Sequence, residues 1–140
     1  MIDGAIRRAT PEDAPAVRRL ITETLLQFGF DAPDPERDTD LVDPRYYSAD
    51  GRALWVAASD DGIRGCVAID RGEPGIAVLR RLAGEPLYDL LEAATDFARG
   101  EGYSEVETIL PPGMTAARHA LEEHGFRREG SGTLLYRRPL

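Results

Sequence analysis

Residues 79–102, LRRLAGEPLYDLLEAATDFARGEG, contain a strand that turns almost directly into a helix, the arrangement in this chain best suited to chemistry. A helix N-terminus behind a short turn presents unpaired amides and the positive end of the dipole, which together favour a bound anion. Other groups offer less. Cys66 is the only cysteine, so neither an internal disulfide nor a cysteine-based metal cluster can form, and within GCVAID it reads as a small buried apolar residue. His124 falls on the apolar face of a helix at its C-terminal end, where an imidazolium suits the dipole, and reads as a cap. His119 is off that face and should meet water. Neither histidine has metal-ligand spacing to nearby acids or to Cys66, and no Ser-His-Asp arrangement can be defended.

The elements that must position these groups follow from periodicity. Leu87, Leu90, Leu91, Ala94, Phe97 and Ala98 recur at steps of three and four, which predicts a helix over residues 86–99 with Pro86 in its first turn. Gly100 and Gly102 can supply the left-handed residue that ends it. Upstream, residues 5–9 are extended, and Thr10-Pro11-Glu12-Asp13 opens a helix that runs to residue 28. Residues 31–50 dissolve into Pro and Asp with Leu41, Val42, Tyr46 and Tyr47 as anchors, a long excursion that could cover a site or form an ordered loop without a ligand. ALWVAAS and IRGCVAID form a hairpin about Asp60-Asp61-Gly62, and the second pairs onward with residues 75–82. After the central helix, VETIL must run parallel to the strand before it if the crossover is right-handed. A helix over residues 114–124 and a last hairpin, residues 126–129 with 133–138 about Gly130-Ser131-Gly132, complete the chain.

At 140 residues the sequence reads as one domain, residues 1–140, with enough core to need neither disulfide nor metal. Hydrophobic residues at 42% and charged residues at 30% suit a soluble globular protein. There is no apolar run of membrane length and no signal-like N-terminus, so a cytoplasmic location without membrane partners is expected. The net charge of −8, with all 17 basic residues Arg against 25 acids, repels polyanions, so nucleic acid is not an expected partner. Arg7-Arg8 and Arg18-Arg19 read as solvated surface.

In this order the elements resemble the GNAT superfamily of N-acetyltransferases. IRRATPEDAPAVRRLI is similar to that family's first strand and helix, DTDLVDPRYY to the stretch before its second strand, and DDGIRGCVAI to its second hairpin. LRRL, LLEAATDFARGEGY and MTAARHALEEHGF continue the likeness in register over nearly the whole chain. The resemblance implies a mixed α/β fold with a bent, mostly antiparallel sheet of six to seven strands flanked by helices. It also implies a cleft where the fourth and fifth strands splay apart, which in the family admits the pantetheine arm of acetyl-CoA.

The departures from the family pattern are specific. Its run like LRRL is followed by a segment close to Arg-Gly-x-Gly-x-Gly, whose amides hold the pyrophosphate. Here only seven residues separate Leu82 from Leu90, Gly84 is the sole glycine among them, Pro86 has no amide, and Glu85 and Asp89 are acids. A carboxylate about 6 Å from a phosphate charge costs on the order of 3 kcal/mol at an effective dielectric near 20. The family's strand acid falls at Val78, its general-acid tyrosine at Leu121 and its helix-start asparagine at Met114.

These losses lead to an expectation of no cofactor and of a small-molecule ligand in the vacated cleft. The alternatives are a functional acetyl-CoA-dependent small-molecule N-acetyltransferase, with Ala83 and Gly84 touching the cofactor, and a non-catalytic binding or assembly partner that includes a homodimer. If the splay is kept, Arg80 or Arg81 faces Glu107 or Thr108. Glu107, Arg80 and Tyr136 are then the candidate catalytic groups, with Tyr46 or Tyr47 as further hydroxyl donors, and no metal is expected. A polar, enclosed pocket between Arg80 and Glu107 would favour an enzyme, whereas a cleft filled by Leu82, Leu110 and Met114 would favour the partner role. The 31–50 excursion is long enough to serve as a lid.

Overall fold

A computed structural model describes residues 5–130 and 134–140 of the chain. Seven strands form one sheet in the order β1-β2-β3-β4-β5-β7-β6. The meander of β1 (Ala5–Arg8), β2 (Ala53–Ser59), β3 (Gly62–Arg71) and β4 (Ile76–Gly84) is antiparallel throughout. The crossover helix α3 (Leu87–Gly100) then returns the chain to β5 (Glu105–Ile109), which lies parallel to β4 as right-handed crossover geometry requires. β7 (Leu135–Pro139) pairs antiparallel with β5 and with the short β6 (Arg127–Arg128). The turn expected at residues 130–132 lies partly outside the described residues, as does Thr133. Among the described residues, no helix is long and apolar enough to cross a membrane.

Both faces of the sheet are covered, so β3 at its centre is buried continuously from Gly65 to Asp70. One core joins Val67, Ile69, Ala77, Leu79 and Val106 to Leu90, Leu91, Ala94 and Ala98 of α3 and to Leu121 of α4 (Thr115–Glu123). A second, smaller core places Val17 and Ile21 of α1 (Ala14–Gln27) against Val56, Cys66 and Ala83, with Leu41 of the short α2 (Thr39–Val42). The first helix starts differently from expectation, because Pro11–Asp13 form a separate 3-10 turn. Pro15 has no N–H to give back to Pro11, so the first α-helical bond cannot form there. Asp13 secures the junction instead. Its Oδ2 accepts from the Thr10 amide at 2.8 Å, and both carboxylate oxygens accept from Arg7 at 2.8 and 3.0 Å.

Candidate functional site

β4 and β5 pair only from Ile76 to Val78 against Glu105 to Glu107, while β4 runs on to Gly84. The splay begins at Leu79, whose carbonyl accepts the Thr108 hydroxyl at 2.8 Å, so a side chain substitutes for the next ladder bond. Beyond it opens a cleft of about 330 Å³, walled by Ile21 and Leu25 from α1, Leu82 from β4, and Leu110 and Met114 at the far side. Val78, Met114 and Leu121, the positions where polar working groups were expected from the family pattern, all line it. The cleft is therefore open, neither filled nor polar. Among the described residues, the only charged ones on its wall are Arg80 and Arg81.

The arginine pair owes its position to a β-bulge. Arg80 pairs with Ala68 and Ala83 with Cys66, so two β4 residues, Arg81 and Leu82, stand opposite the single Val67. Arg81 adopts a left-handed φ of 58°, which costs a side-chain-bearing residue about 1–2 kcal/mol. The bulge lets two consecutive side chains reach one carboxylate, which regular alternation forbids. Arg81 donates to Asp40 at 2.7 and 2.9 Å and to Asp38 at 3.0 Å, and Arg80 Nη2 lies 3.7 Å from the same Asp40. Arg80 Nη1 donates to Asp70 at 2.9 Å.

Asp40 and Asp70 are nearly saturated with donors. Tyr47 gives its hydroxyl to Asp40 at 2.6 Å, and Asp70 accepts from the Tyr46 hydroxyl and Arg52 Nε, both at 2.8 Å. Burial pushes the Asp40 carboxyl up, but the Arg81 and Tyr47 hydrogen bonds prevail and hold it below the ordinary carboxylate range. Asp70 is balanced the same way, burial being overcome by Tyr46, Arg52, the Arg71 amide and Arg80. Burial and the bond to Asp40 push the Tyr47 hydroxyl above its ordinary value. These carboxylates are poor bases and this tyrosine is a poor acid, so the network fixes position and does not move protons. It also pins the 31–50 excursion to β3 and β4. None of the excursion lines the cleft, so the segment that looked like a lid braces the sheet beside it.

At the head of α3, the turn is packed hard against β3. Gly84 has a φ of 74°, and a Cβ there would lie 2.0 Å from the Arg64 carbonyl oxygen. One on Gly65 would lie 2.5 Å from the Glu85 carbonyl oxygen. The Glu85 amide donates to that Arg64 carbonyl at 3.2 Å, and the Glu85 carboxylate pairs with the Arg64 guanidinium at 2.7 Å. Pro86 caps the helix without an N–H, and its carbonyl accepts the first helical bond from Leu90 at 3.1 Å. What remains for an anion is the first helical turn itself, which carries Asp89.

The expected site residues are dispersed. Glu107 lies on the same sheet face as Val78 and Arg80, but it pairs with Arg137 at 3.4 Å, while Arg80 pairs with Asp70 and Asp40. Tyr136 is 4% exposed and belongs to the α3-side core, on the opposite face from Glu107. Ala83 lines the cleft, and Gly84 forms the packed turn. Cys66 is fully buried, and burial pushes its thiol up to about 12. His119 is exposed, whereas His124 is buried and faces Glu92 at 3.2 Å. Among the described residues no three His, Cys, Asp or Glu side chains converge as a metal site.

Sequence reasoning missed Asp38, Asp40 and Asp70 as the partners of the arginine pair. The available signal was Arg80-Arg81 itself, two charges in succession inside a strand otherwise alternating for burial.

No family model and no curated protein matches the sequence. Solved structures do match its fold. An acetyltransferase of the GNAT family from Staphylococcus aureus superposes with a TM-score of 0.84 at 16% identity, covering 97% of this chain and 98% of that one. An acetyltransferase from Streptococcus agalactiae gives 0.82 at 17% identity over the full length of both chains. An N-acetyltransferase from Thermoplasma acidophilum, solved in complex with coenzyme A, gives 0.76 at 15% identity and covers 99% of this chain and 100% of that one. The chain thus has the GNAT fold, a mixed α/β architecture with a mostly antiparallel seven-stranded sheet.

Proposed function

We propose that this GNAT-fold chain binds a small, mainly apolar molecule in the cleft between β4 and β5 and does so without coenzyme A. The β4–α3 turn carries the proposal. A diphosphate needs several converging amides, and this turn is poor in them: the Glu85 amide is spent on Arg64, Pro86 has none, and Gly84 pairs with Gly65 and is packed against β3. Glu85 and Asp89 add negative charge beside the remaining amides. The cleft, by contrast, has stayed open, at about 330 Å³ within the range of small-molecule sites. With Val78, Met114 and Leu121 on its wall, it has binding surface but no proton-transfer pair.

The competing reading is an acetyl-CoA-dependent acetyltransferase that grips its cofactor by contacts other than the diphosphate. It is favoured by the splay itself and by the coenzyme A held by the Thermoplasma relative. Calorimetry with acetyl-CoA and coenzyme A separates the two. The proposal expects no saturable heat below the millimolar range, and a dissociation constant in the micromolar range or tighter would overturn it.

A further inference from the structure

We infer that the ligand of this cleft is an amphiphilic monoanion, an alkyl or similar apolar body ending in one carboxylate, with Arg80 receiving the carboxylate. The inference rests on the CoA-free reading of the cleft and names the class of molecule it takes.

Four residues with polar side chains line the cleft, and three have committed their donors. The Thr24 hydroxyl donates to the Leu20 carbonyl at 2.8 Å and that of Thr108 to Leu79 at 2.8 Å. Arg81 is 13% exposed and turns its guanidinium to Asp38 and Asp40. Arg80 differs. Its side chain is 33% exposed, and among the described residues its single hydrogen bond is the one from Nη1 to Asp70. Asp40 stands too far from Nη2, at 3.7 Å, for more than an ionic contact. A guanidinium carries five N–H donors in a rigid fork, so most of this one remains unspent.

Charge supports an anion rather than a neutral acceptor. Within the network Arg52, Arg80 and Arg81 match the carboxylates of Asp38, Asp40 and Asp70 in number, and the further guanidinium on Asp38, that of Arg37, is 72% exposed and lies off the cleft. At the cleft itself, among the described residues, Arg80 and Arg81 are the charged groups on the wall and no carboxylate lines it, in a molecule whose overall charge is −8. A carboxylate accepts from the Arg80 fork with charge-assisted bonds, and Ile21, Leu25, Leu82, Leu110 and Met114 take the apolar body. A second charge on the ligand would be buried without a partner, which is why the class is a monoanion.

The test titrates the full chain calorimetrically with decanoate, decanol and decyltrimethylammonium, which share one alkyl body and differ in head group. Decanoate should bind about tenfold more tightly than decanol, and the cation more weakly than either. Met114→Trp, which fills the cleft and leaves the ion network untouched, should abolish binding of all three. Arg80→Gln should bring decanoate down to the level of decanol. Equal affinity for decanoate and decanol, preference for the cation, or absence of decanoate binding to the native chain would each overturn the inference, whether or not Arg80→Gln folds. Micromolar binding of acetyl-CoA alongside a retained decanoate preference would instead overturn the CoA-free reading and leave the anion preference standing.

Discussion

Two adjacent arginines in this protein do different work because one backbone dihedral separates them. Arg81, in the left-handed region, is locked to Asp38 and Asp40, whereas Arg80 on the regular strand keeps donors free. Asp40 is central to that division, being 3% exposed in its side chain and facing Arg81, Arg80 and Tyr47. Removing one partner of a buried ion pair strands the other, so Asp40→Asn should lower the unfolding free energy in urea by about 3–5 kcal/mol. Tyr47→Phe removes only the hydroxyl donated to that carboxylate and should cost about 1.5–3 kcal/mol in the same measurement. Acid should act on the same groups. The Arg7 bond holds the Asp13 carboxyl at about 2, and Asp38, Asp40 and Asp70 are also held below their ordinary values. A depressed folded pKa gives stability that is complete above the unfolded value near 4 and is lost as pH falls through the folded one. Stability measured by denaturant titration should therefore be level above about pH 5 and fall steadily toward pH 2. The arginine pair was visible in the sequence as a break in alternation. Two of its acidic partners, Asp40 and Asp38, were not, because they sit 41 and 43 residues from Arg81 on a segment without periodicity, and the third, Asp70, depended on the β3–β4 register.

At the scale of elements, the joint between β4 and α3 carries the proposed absence of a diphosphate site. Its helix was legible from the spacing of Leu87, Leu90, Leu91, Ala94 and Ala98, and the seven-residue span between Leu82 and Leu90 was legible as a count of residues. The packing of the turn was not, since a glycine in sequence does not reveal what its missing Cβ would meet. Gly84 and Gly100, at the two ends of this unit, give a direct contrast. Gly84→Ala would set a Cβ 2.0 Å from the Arg64 carbonyl oxygen at a φ of 74°, and should destabilise by at least about 2 kcal/mol. Gly100→Ala meets nothing within 4 Å and lies within the helix, so it should be neutral or stabilise by up to about 1 kcal/mol. The unfolding midpoints of the two variants against the native chain check both expectations.

Across the whole molecule, the order of strands and helices followed from periodicity and turn chemistry, because each element buries a face whose spacing is written locally. The parallel placement of β5 beside β4 followed from the handedness of the crossover. Long-range pairing carried the rest: the small core under α1, the network that turns the 31–50 excursion into a brace, the different partners of Glu107 and Arg80 on one face of the sheet, and the placing of Tyr136 on the other. The result is a GNAT fold with an open inter-strand cleft beside a turn that we propose does not hold the diphosphate of coenzyme A. Backbone amide resonances, followed as acetyl-CoA and then decanoate are added to the labelled chain, test this directly. Decanoate should shift amides along residues 79–83 and 108–114, and acetyl-CoA should leave those of residues 84–89 unmoved. Saturable shifts at residues 84–89 with micromolar acetyl-CoA would contradict it.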